Sequence, residues 1–243
     1  MELDAGIKRH YCFYDEIYDP ASKEGKRRIN LLADLVEEYL EPDGGVALDV
    51  GCGMGVSSAA LVAGGYEKVI GIDIQEDYIT KARKFAQDSG LAAEFRLMDI
   101  RSLDFPDGVF DGVAMLSNPL PHWDMDEMER ILAECHRVLR PGGWIMIHYL
   151  DWVGLLYQGY KDVLVEESDS GFLISYHTEL NTLEGFARRL YLGPSEPRGF
   201  QVKLRMWSPW LLHYLMEKTG FSTLETEYIV GSKIAITTGE KKG

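Results

Sequence analysis

The 243-residue sequence predicts an α/β fold: a doubly wound parallel sheet that carries a small antiparallel β insertion. Three features lead there. Between residues 46 and 150 short apolar runs alternate with helical periods, a glycine-rich turn follows the first run, and beyond residue 151 the pattern shifts to two-residue alternation. Strands separated by helices favour right-handed crossovers and a sheet covered on both faces.

Taken in order, a helix is expected around 22–40, where Ile29, Leu32, Leu35, Val36 and Tyr39 share one side. Strands follow at VALDV (46–50), KVIGID (68–73), EFRLM (94–98), FDGVAML (110–116) and GWIMIHY (143–149). They are rich in Val, Ile and Leu, and turn residues bound most of them. The clearest helix spans 124–139, with Met125, Met128, Ile131, Leu132, Cys135, Val138 and Leu139 on one face. RPGG (140–143) then ends it. FLISYHTEL (172–180), GFARRLYL (185–192) and FQVKLRMW (200–207) read as three antiparallel strands, the last two joined by GPSEPRG (193–199). SPWLLHYLMEKTGF (208–221) opens with a Ser N-cap and a Pro at the first helical position, and Gly220 lies just past its end. TLETEYIVGSKIAITTGE (223–240) reads as a hairpin turning at Gly231-Ser232. Residues 1–151 and 208–243 therefore make one domain, and 152–207 an antiparallel lid inserted into it.

Composition narrows the function. Against 25 Lys+Arg stand 39 Asp+Glu, a formal charge of −14 that repels nucleic acid and anionic lipid at long range. The one basic cluster, KEGKRR (23–28), opens an amphipathic helix and reads as a solvated face. Cys12, Cys52 and Cys135 show no ligand spacing, so free thiols in a reducing compartment are expected, and no metal site. No run reaches a membrane span and the first residues do not resemble a signal peptide, so a cytoplasmic protein is expected.

The turn VALDVGCGMG (46–55) carries the chemistry. Ligands of open α/β sheets bind beyond the carboxyl ends of the strands. Glycines there permit positive φ and let a ligand approach without meeting a Cβ. Asp73 ends the second strand 22 residues after Gly51, a spacing suited to ribose hydroxyls. An adenosine-containing ligand follows, with a simple tight turn as the plainer alternative. Dinucleotide sites favour G-x-G-x-x-G, whereas here the loop reads G-x-G-x-G with Asp49 just before it and Val56 after it. A carboxylate so placed disfavours pyrophosphate and suits a positively charged nucleoside.

LDVGCGMG resembles the first motif of class I S-adenosylmethionine-dependent methyltransferases. VIGIDIQEDYITKAR (69–83), FRLMDIRSLDFPDGVFDGV (95–113), FDGVAMLSNPLPHW (110–123) and ECHRVLRPGGWIMI (134–147) resemble the later motifs in order. The resemblance implies a seven-stranded sheet of order 3-2-1-4-5-7-6 and S-adenosyl-L-methionine as methyl donor, with S-adenosyl-L-homocysteine as product. It also implies cofactor contacts from Asp49, Gly51, Gly53, Gly55, Asp73, Ile74, Asp99, Ile100, Leu116 and Ser117, with Asp99 and Ile100 at the adenine. The lid is similar in layout to those of glycine-type N-methyltransferases and related small-molecule enzymes.

Methyl transfer from a sulfonium needs chiefly alignment and exclusion of water, and alignment alone supplies roughly 7–11 kcal/mol. The loop SNPLPHWD (117–124) leaves the sheet beside the expected methyl donor, which makes Asn118 and His122 the catalytic candidates. His122 suits a general base, or else a loop histidine bonded to backbone. Tyr14 and Tyr18 in HYCFYDEIYD (10–19), Trp123 and Tyr149 are the candidate acceptor-binding aromatics. HYLDW (148–152) and YQGY (157–160) should face the pocket, and Arg188, Arg189 and Arg205 on the lid suit a carboxylate or solvent. The expected activity is methyl transfer to a small molecule by a monomer or homodimer, without nucleic acid or membrane. The alternatives are an RNA or protein methyltransferase, a non-catalytic S-adenosylmethionine-binding module and, last, a nicotinamide dehydrogenase.

Overall fold

The computed structural model describes residues 5–13, 15–158, 163–168, 171–194 and 196–243. Its centre is a seven-stranded sheet built from β1 (Val46–Val50), β2 (Lys68–Asp73), β3 (Ala93–Leu97), β4 (Phe110–Met115), β5 (Leu139–Leu150), β10 (Phe221–Tyr228) and β11 (Ile234–Lys241). The strand order is β10-β11-β5-β4-β1-β2-β3, which is the order 3-2-1-4-5-7-6 in terms of the sheet's own strands. β1 to β5 pair in parallel, and β11 runs antiparallel to both β5 and β10.

Two apolar layers explain why β1 is almost wholly hydrophobic. Leu48 and Val50 pack on one face with Met128, Ile131 and Leu132 of α6 (Met125–Val138) and with Leu212 and Leu215 of α8 (Pro209–Lys218). Ala47 packs on the other face with Leu32, Leu35 and Val36 of α3 (Lys23–Leu40) and with Ala60 and Leu61 of α4 (Val56–Ala63). A strand buried on both sides has no polar face to show. α5 (Glu76–Ser89) closes the β3 edge through Ile79, Ala82 and Phe95.

The caps are local. Ser22 Oγ accepts from Gly25 N at 2.8 Å to start α3. Asp124 and Glu127 exchange side-chain bonds at 3.0 and 3.2 Å to start α6. Such caps stabilise a helix by about 1 kcal/mol each, and the second also fixes where the preceding loop ends. Met125, expected on the buried face of α6, is 46% exposed, because it lies in the capped first turn ahead of the face that docks. Pro209 begins α8 after Ser208, whose side chain makes no cap bond. RPGG does end α6, but β5 starts at Leu139, and the tetrapeptide is taken up in a register shift between Phe110 and Gly112 of β4.

A second sheet follows α7 (Trp152–Gln158). It has four antiparallel strands, β6 (Val163–Ser168), β7 (Gly171–Asn181), β8 (Phe186–Gly193) and β9 (Glu196–Arg205), in that order. The sequence reading has three strands there, without β6. β6 carries its two valines outward, Val163 56% and Val165 60% exposed, while Leu164 between them faces the other way, so the apolar residues VLV do not alternate with polar ones. The sheet's apolar face holds Leu173, Tyr191, Phe200 and Val202, with Ile7 of α1 (Ala5–Phe13) against it. α1 and the short α2 (Asp15–Tyr18) thereby bridge the two sheets near the carboxyl ends of β1, β4 and β5. No helix among the described residues is long and apolar enough to cross a membrane.

Candidate functional site

Two cavities open where the parallel strands end. The first, of about 330 Å³, lies over the turn after β1. Gly51 N and Cys52 N both donate to Ile72 O, at 2.9 and 3.0 Å, binding the turn to β2. Gly51, Gly53 and Gly55 have φ of +72°, +51° and +100°, a region that other residues enter only with strain. Their uses differ. A Cβ on Gly53 would meet nothing within 4 Å and would occupy open space, whereas one on Gly55 would stand 3.1 Å from Phe95 Cζ. Gly55 therefore permits the start of α4 to pack on β3, and it is not among the residues that line the cavity.

The acids divide in the same way. Asp73 lines the cavity, and its oxygens accept from Gly53 N at 3.0 Å and Gln75 N at 2.8 Å. Burial pushes this carboxyl upward, the Gln75, Gly53 and Ile74 amides oppose that shift, and three donors leave part of the carboxylate's lone-pair capacity for a hydroxyl. Asp49 is fully buried and is not among the residues of the cavity wall. Ser57 and Ser58 donate to its Oδ2 at 2.6 and 2.5 Å, and burial raises its carboxyl to about 6. It holds the first turn of α4 beneath the loop.

At the far end, Ile74, Met98, Ile100 and Trp123 make an apolar slot beside Asp99. Arg101 grips both Asp99 oxygens through Nε at 2.9 Å and Nη2 at 2.5 Å, and reaches Glu127 with Nη1 at 2.8 Å. That fork holds the Asp99 carboxyl below the usual carboxylate range. Trp123, expected against the acceptor, lines this cavity alone, because the loop turns it towards the Asp99 side. Open space over Gly53, an acid with spare lone pairs and an apolar slot together fit a nucleoside. No group of three or more His, Cys, Asp or Glu among the described residues is placed to hold a metal ion.

The second cavity, of about 560 Å³, adjoins the first, and Tyr11, Tyr18, Ser117 and His122 line both. His122 ends a 3₁₀ turn (Leu120–His122) whose position is fixed by three hydrogen bonds, two to β5 and one from Trp207. Asn118 N donates to His148 O at 3.1 Å, Asn118 Oδ1 accepts from Leu150 N at 3.0 Å, and Trp207 Nε1 donates to Leu120 O at 2.8 Å. Ser117 and Asn118 have φ of +67° and +63°, strain that those bonds hold in place. Tyr11 Oη lies 2.6 Å from His122 Nε2. Burial lowers His122 to about 4 and raises Tyr11 well above the phenolic range, so both are neutral near pH 7. His122 Nδ1 is buried with no hydrogen-bond partner among the described residues.

Around this chamber stand His148 and Leu150 from the end of β5, Trp152 from the start of α7, and His177, Arg189 and Tyr191 from the antiparallel sheet. Tyr149 is not among them. Strand alternation turns it into the core, where its hydroxyl pairs with Thr237 Oγ1 at 2.9 Å, so His148 takes the place expected for Tyr149. Tyr14, Gly159 and Tyr160, and the side chains of Cys12, Phe13, Tyr157 and Gln158, lie outside the described residues. Gly51, Ile74, Asp99, Ile100 and Leu116 line the first cavity and Asn118 the second. Of the lid arginines, Arg188 pairs with Glu179 at 2.8 Å and Arg205 approaches Asp124 at 3.7 Å; Arg189 alone turns inward. Tyr11 of HYCFYDEIYD and His148 of HYLDW line the chamber, within the two segments expected there, whereas Arg28 is not expected, because KEGKRR reads as a solvated helix face.

A glycine turn and a buried acid at adjacent strand ends, under a two-chambered cleft, define a nucleoside-binding α/β protein. The sequence model of a methyltransferase domain matches residues 47–143. The phosphatidylethanolamine N-methyltransferase of Cereibacter sphaeroides is 31% identical over 84% of this chain and 98% of its own length. A ubiquinone biosynthesis O-methyltransferase of Methylococcus capsulatus is 30% identical over 50% of each chain. A crystal structure of a Pyrococcus horikoshii OT3 protein superposes with a TM-score of 0.75 at 28% identity, covering 95% of this chain and 98% of that one. The chain belongs to the class I S-adenosylmethionine-dependent methyltransferase family, and S-adenosylmethionine is its methyl donor.

Proposed function

We propose that the protein methylates a small-molecule acceptor seated in the second cavity, with the donor nucleoside in the first. The observation that carries this reading is the shared wall: Tyr11, Tyr18, Ser117 and His122 border both chambers, so a methyl leaving one enters the other. S-adenosylmethionine supplies a methyl group already activated on a sulfonium. The chain's own task is alignment and dryness, and alignment is worth roughly 7–11 kcal/mol. Asp73 would take the ribose hydroxyls, Gly51 and Gly53 would let the nucleoside lie against backbone, and Asp99 and Ile100 would border the adenine. Leu116 and Ser117 would flank the methyl-bearing end.

His122 is the residue we assign to the acceptor's proton. If Nε2 donates to Tyr11 Oη, the buried Nδ1 offers a lone pair to an acceptor N–H or O–H. If Tyr11 donates instead, Nδ1 carries a hydrogen and orients an acceptor lone pair. Asn118 acts as a positioning residue, since its amide oxygen is committed to Leu150 N. The antiparallel sheet and α1 enclose the chamber, which supports a small acceptor over a folded macromolecule, as does the net charge of −14 over RNA.

The test is a metabolite screen that measures S-adenosylhomocysteine release, with Asp73→Ala as control. Release with a small acceptor, abolished in the control, is expected. Turnover only with RNA or protein, or none despite donor binding, would overturn the reading.

A further inference from the structure

The second cavity contains two guanidinium groups, of Arg28 and Arg189, without a carboxylate partner among the described residues. Building on the acceptor site above, we propose that Arg28 and Arg189 recognise an anionic group, carboxylate or phosphate, on the methyl acceptor.

Arg189 lies on β8 directly opposite His177 of β7, and it is 5% exposed. Its Nε donates to Ser175 Oγ at 2.8 Å and its Nη2 to Ser175 O at 3.1 Å. These bonds orient the planar group yet leave most of its five donors unspent, and neither partner carries charge. Arg28 reaches the chamber from the first turns of α3, its guanidinium 5.4 Å from the Tyr18 ring centroid. Its one hydrogen bond is Nη2 to Ser117 Oγ at 3.5 Å, and its Nε is buried with no partner among the described residues.

The contrast with other arginines is informative. Arg101, Arg137, Arg140 and Arg188 are all ion-paired, as a chain with 39 acids and 25 bases readily allows. Among the described residues no carboxylate lies within ion-pair distance of Arg28 or Arg189. Glu166, the carboxylate among the described lining residues, stands outside that distance, so the described lining carries two guanidinium groups against one carboxylate. Removing a charge from water without a partner is costly. A guanidinium fork matches carboxylate and phosphate alike. His148, beside Arg28, is lowered to about 4 by burial and then by that cation, so it adds no charge of its own.

The test uses the whole protein saturated with S-adenosylhomocysteine and titrated calorimetrically with inorganic phosphate and with acetate at constant ionic strength. Saturable binding to wild type is expected, weakened at least tenfold in Arg189→Met and in Arg28→Gln, with S-adenosylhomocysteine affinity held within about twofold as the check on folding. Tighter phosphate than acetate assigns a phosphate, and the reverse a carboxylate. If phosphate leads, phosphoethanolamine compared with phosphatidylethanolamine vesicles separates a free ester from a lipid headgroup. Equal binding by wild type and both variants, or a neutral acceptor from the metabolite screen, overturns the anion site while leaving methyl transfer intact. Failure of S-adenosylhomocysteine to bind wild type would instead strike the donor site.

Discussion

Tyr11 Oη and His122 Nε2 meet at 2.6 Å across 111 residues of sequence, at the wall common to both cavities. The contact joins α1 to the loop after β4, so one hydrogen bond couples the N-terminal helix to the segment that carries the proposed base. On the proposed assignment, His122→Ala lowers turnover roughly tenfold or more near pH 7. Tyr11→Phe, which removes the partner that sets the tautomer, lowers it by a smaller factor. S-adenosylhomocysteine affinity should change little in either variant, and unaltered steady-state kinetics in His122→Ala would dismiss the role.

Asp73 accepts from the backbone amides of Gly53 and Gln75, among others, and faces the first cavity. Hydrogen bonds to a charged group contribute about 1.5–3 kcal/mol. Asp73→Ala should therefore weaken S-adenosylhomocysteine binding by roughly ten- to a hundredfold, as read by calorimetry.

The glycines separate binding from folding. A methyl on Gly53 projects into open space, so Gly53→Ala should impair nucleoside binding more than its strain of about 1–2 kcal/mol impairs stability. Gly55→Ala drives a methyl towards Phe95 and should lower the unfolding midpoint instead. Paired urea melts and binding titrations on the two variants distinguish these outcomes. The same pattern of loss in both would contradict the division of labour.

Burial holds three histidines neutral: His10 is lowered to about 3, and His122 and His148 to about 4. In the unfolded chain each returns to about 6.5. Between those values the unfolded state binds more protons, so stability falls as pH falls from about 6.5 towards 4. Asp49 has the opposite sign, because its carboxyl is raised to about 6 and the folded state binds that proton first. Three uptakes less one leave a net slope of up to about two protons near pH 5. Urea-derived stabilities across pH 4–7 should show it, and His148→Gln should remove about one proton from the slope. A flat profile would contradict the buried neutral imidazoles.

Much of the fold is legible because burial on both sides leaves a plain signature. VALDV and KVIGID mark β1 and β2 with the ends found in the structure, and the order of motifs fits the order of strands. What escapes detection is set by geometry at longer range. β6 hides because its valines face outward. Tyr149 and His148 differ by one residue, and in a strand that single step exchanges core for cavity. Arg28 sits in a basic run that a solvated helix face explains equally well. Asp49 lies beside the glycines in sequence yet below them in space, spent on Ser57 and Ser58. Pairings such as Tyr11 with His122 have no local pattern to read.

The most direct measurement is a crystal structure of the protein with S-adenosylhomocysteine. The account predicts ribose hydroxyls within hydrogen-bond distance of Asp73, the adenine beside Asp99 and Ile100, and the sulfur facing the wall formed by Tyr11 and His122. A nucleoside bound elsewhere, or one whose sulfur faces away from the second cavity, would contradict it.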